Sequence, residues 1–184
     1  MTPQLFKERL DAMKYDKYCQ DIEYIDFIGH TKSHITWALI KDMFDWKGKK
    51  VVDLGCFHGY YCFKVEQEGG IVTGFDRAPM ILRTASVLRD AYNSKVIFQE
   101  WSAGEVVPKM YDIALLMIMS YNLPNRRELL ENIKCRYVLF EVTTYELPLI
   151  YEYYNIIKEK KSPKITPEGE WHLLLGERKD YVEE

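Results

Sequence analysis

Val51-Val52-Asp53-Leu54-Gly55-Cys56-Phe57-His58-Gly59 is the stretch on which the fold turns. A β-branched run that closes on glycine predicts a buried strand bending sharply at its carboxyl end. Gly55 and Gly59 lack a Cβ, so backbone N–H groups there are able to approach a ligand closely. Tyr60 to Glu68 then reads as a helix stopped by Gly69-Gly70. The pattern repeats downstream. A strand from Ile71 to Phe75 closes on Asp76, and Ile81, Leu82, Ala85, Leu88 and Tyr92 mark one face of a helix. Val96 to Phe98, the apolar run Ile113 to Met119 and Tyr137 to Val142 supply three more strands, with helical sequence around Leu129 to Ile133. Strands alternating with helices pair in parallel through right-handed crossovers. The expected architecture is α/β, a doubly wound and mostly parallel sheet, seven-stranded with its C-terminal hairpin included, whose ligand sits at the carboxyl ends of the strands.

Upstream, Phe6, Leu10 and Met13 recur at helical spacing, and Ile35, Ala38, Leu39 and Met43 do so after Ser33, a candidate N-cap. Downstream, a helix is expected from Leu149 to Lys160. Beyond it, Pro163 to Thr166 and Trp171 to Arg178 flank the turn-like Pro167-Glu168-Gly169 as an antiparallel hairpin. The expected organisation is a single domain over 1–184: a helical cap over 1–49, a core over 50–142, and a closing helix and hairpin over 143–184.

Composition excludes several classes. At 184 residues with 47% hydrophobic and 29% charged side chains, the chain fits one globular core. A net charge of -3 gives no long-range attraction to a polyanion, so no broad nucleic-acid-binding surface is expected. No apolar run approaches the roughly 20 residues that cross a bilayer, so no membrane partner is expected either. Cys19, Cys56, Cys62 and Cys135 form no CxxC pair, which reads as reduced thiols in a cytoplasmic protein with no metal site. Oligomeric state is not written in the pattern.

Together with Asp76, the opening stretch resembles the class I, seven-stranded S-adenosylmethionine-dependent methyltransferases, whose first motif runs D/E-x-G-x-G-x-G. Asp53, Gly55 and Gly59 match it, and Asp53 to Phe63 follows the form DxGCxxGYxxF met in some members, with Phe57 in place of the middle glycine. Phe57 also argues against a dinucleotide, whose G-x-G-x-x-G loop needs that glycine for the pyrophosphate. The resemblance covers about Lys50 to Val142. It implies an S-adenosyl-L-methionine site formed by Asp53, Gly55, Cys56, Phe57, His58 and Gly59 in the loop. Asp76, with Arg77 beside it, would take the ribose hydroxyls; Trp101 and Ser102 would lie at the adenine and Met119 near the reacting end.

Tyr121 and Glu141 are the candidate catalytic residues, each near a strand end where a base is able to take a proton from the acceptor. His58 is a further candidate, read mainly as loop-shaping. Lys32 and His34, in GHTKSH, read as a helix cap or as a lid over the donor. Tyr145, Tyr151, Tyr153 and Tyr154 suit either helix packing or stacking on a planar acceptor. Lys47, Lys49, Lys50, Lys158, Lys160 and Lys161 read as solubilising charges away from the site, whereas Arg77, Arg126 and Arg127 lie nearer to it. No N/D-P-P-Y/F sequence follows the fourth strand, where SYNLPN stands, so the resemblance does not extend to exocyclic amino methylation of bases, and no Pro-Cys nucleophile pair is present. The acceptors left open are a small molecule, a sugar or natural-product hydroxyl, a tRNA wobble base, or a protein side chain. A non-catalytic S-adenosylmethionine-binding module is the alternative function, and a nicotinamide-dependent oxidoreductase a more distant one.

Overall fold

The computed structural model describes residues 2–12, 20–117, 125–167 and 169–183. Within them a seven-stranded sheet runs in the order β3-β2-β1-β4-β5-β7-β6. The parallel part comprises β1 (Lys50–Leu54), β2 (Ile71–Asp76), β3 (Ile97–Glu100), β4 (Ile113–Met117) and β5 (Tyr137–Thr143). β7 (Gly169–Arg178) lies antiparallel between β5 and the outer strand β6 (Tyr154–Thr166). A purely dinucleotide-type sheet keeps its sixth strand parallel beside the fifth; the inserted antiparallel strand separates the two architectures.

Burial explains why the central strands read as continuous apolar runs. Every residue of β4 is buried, as are all but the first of β1 and β5. Alternate side chains go to opposite faces of the sheet. Val51, Ile113, Leu115, Leu139 and Leu173 pack under α1 (Pro3–Ala12), α2 (Ser33–Ile40), α3 (Tyr60–Gln67) and α4 (Pro79–Tyr92). Val52, Leu54, Leu116, Phe140 and Leu174 face α5 (Arg126–Asn132) and α6 (Leu147–Tyr153). No helix among the described residues is long and apolar enough to cross a membrane.

Three local expectations are corrected. The helix expected from Leu149 to Lys160 runs only from Leu147 to Tyr153, and the chain is extended from Tyr154 onward. The stretch Lys158-Glu159-Lys160-Lys161 is compatible with a helix by itself, but β7 recruits it as a second hydrogen-bonding neighbour, and tertiary pairing overrides local propensity. Tyr154 is thereby buried against Phe140, with ring centroids 5.1 Å apart, where Gly176 leaves room for it. The lysines of this strand therefore guard a sheet edge. Lys160 Nζ also donates to the Leu39 carbonyl at 2.6 Å, near the C-terminus of α2.

The second correction concerns α2, which buries Ser33, Thr36, Trp37 and Ile40 while Ile35 is exposed. Its inward face is part polar, so apolar periodicity misplaced it by a fraction of a turn. The third is its cap. Ser33 is the first helical residue and Lys32, at φ +47°, stands at the cap without a side-chain bond. The distant Asp21 carboxylate takes the His34 N–H instead, at 2.7 Å.

Candidate functional site

The loop leaving β1 is built from left-handed backbone: Gly55 at φ +72°, Phe57 at φ +53° and Gly59 at φ +83°. Phe57 therefore occupies a conformation that glycine adopts freely, which is the physical sense of a glycine at that position in the related motif. The Phe75 carbonyl of β2 accepts from both Gly55 N–H and Cys56 N–H at 2.8 Å, pinning the turn to the neighbouring strand.

Asp76 completes the link. Its Oδ2 accepts the Phe57 N–H at 3.1 Å and its Oδ1 accepts the Ala78 N–H at 3.0 Å. The carboxylate lies at the junction of the two strand tips and is held in place before any ligand arrives. A carboxylate offers about four acceptor positions, so each oxygen retains capacity for a hydroxyl donor. Arg77, next to it, is exposed.

Asp53 lies beneath the loop rather than at its surface. It is 1% exposed, and Cys62 Sγ of α3 donates to its Oδ2 at 3.3 Å. Burial pushes its carboxyl up to about 7, the Cys62 hydrogen bond opposes that rise, and the nearby Asp76 charge adds to it. Burial likewise raises the Cys56 and Cys62 thiols, so neither presents a thiolate. Cys56, Cys62 and Cys135 are free and buried; Cys19 falls outside the described residues.

Gly59 also has a packing role. A Cβ there would stand 2.6 Å from Phe98 Cζ of β3, so positive φ and a packed ring both favour glycine at this position. His58 is 5% exposed under the Phe57 ring, with centroids 3.9 Å apart, which supports the loop-shaping reading. Trp101 is also buried, stacked on Phe75 with centroids 5.9 Å apart, and its backbone N–H donates to the Asp76 carbonyl at 3.1 Å. Its indole N–H meets no acceptor among the described residues. Ser102 is exposed, its N–H taken by Glu105 Oε1 at 3.2 Å.

Glu141 is neither a solvated strand end nor an accessible base. It is fully buried, with Lys164 Nζ 2.6 Å from Oε2 and the hydroxyls of Ser162 and Thr36 donating to Oε1 at 3.0 and 3.3 Å. These bonds tie β5 to β6 and to α2, and the catalytic assignment of Glu141 is corrected on that ground. Met119 and Tyr121 lie outside the described residues. Arg127 is engaged by Glu152 at 2.7 Å and by the Tyr153 hydroxyl at 3.0 Å on the surface.

Sequence reasoning missed Gln20 and Asp21. Gln20 Oε1 accepts the Tyr60 N–H at 3.0 Å, in the first turn of α3 directly after the loop. The buried Asp21 carboxylate accepts the N–H groups of Gly29 and His34 and contacts His34 Nδ1, each at 2.7 Å. Asp21, His58 and Tyr60 share the wall of a cavity of about 10 Å³, room for about one water. No local pattern marks Gln20 or Asp21, because their partners are 8 to 40 residues away.

No protein-family model matches the chain. A Helicobacter pylori protein named tRNA U34 carboxymethyltransferase is 26% identical over 143 residues, which cover 74% of this chain and 54% of that protein. The Helicobacter acinonychis protein of the same name is 28% identical over 139 residues, 72% of this chain and 52% of its own length. The chain thus spans about half the length of the curated relatives it matches. Among solved structures, the N-methyltransferase NodS of Bradyrhizobium japonicum with S-adenosyl-L-homocysteine aligns at TM-score 0.70 and 11% identity, over 92% of this chain and 98% of that one. Magnesium protoporphyrin IX methyltransferase of Synechocystis with bound S-adenosylmethionine aligns at 0.64 and 15%, over 97% of each chain. The described residues have the fold of the class I S-adenosylmethionine-dependent methyltransferases.

Proposed function

We propose that this chain binds S-adenosyl-L-methionine, or a close sulfonium relative of it, and transfers a carbon group to an acceptor, a tRNA wobble uridine being the acceptor class favoured by the names of the curated relatives. One observation carries the reading: the Asp76 carboxylate, already fixed by the N–H groups of Phe57 and Ala78, stands at the tip of β2 against the glycine turn of β1. Its remaining acceptor capacity suits two adjacent ribose hydroxyls. The residues present therefore fit the donor.

When bound, the donor supplies a carbon activated by a positively charged sulfur. The chain's own task is alignment and the exclusion of water. Asp76 orients the ribose, the Gly55 turn brings backbone to the ligand, and the buried Asp53 supports the turn from below. Gln20 holds the first turn of α3 in register with the loop. None of these groups needs to change protonation during transfer.

Calorimetry with S-adenosylhomocysteine and with NADH tests the donor assignment. Binding of the former in the micromolar range and none of the latter is expected; the reverse pattern, or no binding of either, overturns it. Incubation with labelled S-adenosylmethionine and tRNA carrying an unmodified wobble position then tests the transfer. Donor binding without labelled product from tRNA, small-molecule or protein extracts identifies a non-catalytic binding module instead.

A further inference from the structure

We infer that His34, oriented by Asp21, is the general base that takes the proton of a protic acceptor, a hydroxyl or imide N–H, at this site. The inference rests on the donor-binding reading above. Glu141 is committed to Lys164 and does not fill the role. His34 Nδ1 lies 2.7 Å from Asp21 Oδ2, and that carboxylate is 4% exposed, whereas the His34 side chain is 46% exposed. A carboxylate only accepts, so the neutral tautomer that this contact favours carries its proton on Nδ1 and leaves the lone pair on Nε2. A buried acid holding an accessible imidazole in one tautomer is the arrangement that makes histidine an efficient proton acceptor.

Position supports the same role. Gln20, the residue before Asp21, is bonded to Tyr60 N at the start of α3, and Asp21 shares a small cavity with His58 of the donor loop. Two residues beyond His34, Thr36 reaches Glu141 in β5. The N-terminal turn of α2 thus lies between the start of α3 and the carboxyl half of β5, the end of the sheet at which ligands of this fold class are held. The His34 N–H bond by itself caps the first turn of α2, and the ring contact is additional to it. In the step, the acceptor's proton passes to Nε2 and the acceptor atom bonds to the transferred carbon. The electron pair of the broken carbon–sulfur bond stays on sulfur. His34 is left as imidazolium beside the Asp21 carboxylate.

The test uses the full chain labelled with 15N-histidine and S-adenosyl-[methyl-13C]methionine. Expected are an Nδ1–H tautomer for His34 and a nuclear Overhauser effect from the donor methyl to its ring. His34→Asn keeps a donor near the Nδ1 position but lacks Nε2. It is expected to bind S-adenosylhomocysteine within threefold of wild type, to lower kcat on wobble-unmodified tRNA about 100-fold with an unchanged donor KM, and to recover with added imidazole. Asp21→Asn is expected to shift the tautomer equilibrium. Donor binding without the Overhauser effect, or wild-type turnover by His34→Asn, overturns the base and leaves donor binding standing. If this tRNA accepts no label, the Overhauser effect alone decides. Failure of the wild type to bind the donor overturns both readings.

Discussion

Replacing Asp53 by asparagine removes a charge that the fold holds at a cost. The carboxyl is 1% exposed and raised from 3.8 to about 7, chiefly by burial. Because the folded value lies above the unfolded one, the native state keeps a proton that the unfolded chain releases. Stability from this group is complete below about pH 4 and is lost as pH rises through about 7. The full cost of ionising it in place is about 4 kcal/mol, at ~1.4 kcal/mol per tenfold change in proton affinity, and about 2 to 3 kcal/mol of that falls between pH 5 and pH 8. Asp53→Asn keeps an oxygen for the Cys62 thiol but adds an amide N–H₂ whose burial costs about 1 to 3 kcal/mol at every pH. The diagnostic is therefore the change in the variant-minus-wild-type difference. Urea unfolding at pH 5 and pH 8 is expected to show the variant gaining about 2 to 3 kcal/mol relative to wild type over that interval, while other titrating groups cancel. A difference constant to within about 0.5 kcal/mol would refute the reasoning.

Asp76→Ala is expected to weaken S-adenosylhomocysteine binding by about 1 to 3 kcal/mol in calorimetry, since it removes a charged hydrogen-bond acceptor and frees the Phe57 and Ala78 N–H groups. Gly59→Ala is expected to destabilise the protein by about 1 to 3 kcal/mol in thermal melts, through positive φ and the 2.6 Å approach to Phe98. Phe98→Leu in the same chain should return part of that loss, and no recovery would leave φ as the sole cause. Lys164→Met strands the buried Glu141 charge and is expected to cost about 3 to 5 kcal/mol, whereas Lys164→Met with Glu141→Gln should recover most of it. Equal losses in the single and double variants would show that the pair does not act as a unit.

The parallel half of the sheet was legible because burial on both faces leaves its mark in the local sequence. Val51-Val52, Ile113 to Met117 and Tyr137 to Phe140 are unbroken apolar runs, Gly55 follows β1 and Asp76 closes β2. Such features depend on neighbours a few residues away, and they sufficed to place the turn and the strand-end carboxylate Asp76. Outside that core the same logic misjudged Tyr154 to Lys160, whose local propensity is helical and whose conformation is decided by pairing with β7. It misread Glu141 as well, since a strand-end carboxylate looks the same in sequence whether it meets water or a lysine 23 residues on. Gln20, Asp21 and His34 form their arrangement only when α2 and α3 are packed on the sheet. Sequence alone determined the strand–turn–acid framework, because hydrophobic period and glycine geometry are short-range properties. Tertiary structure decided which polar groups are buried, paired or exposed, because hydrogen bonds and desolvation depend on partners that are distant along the chain.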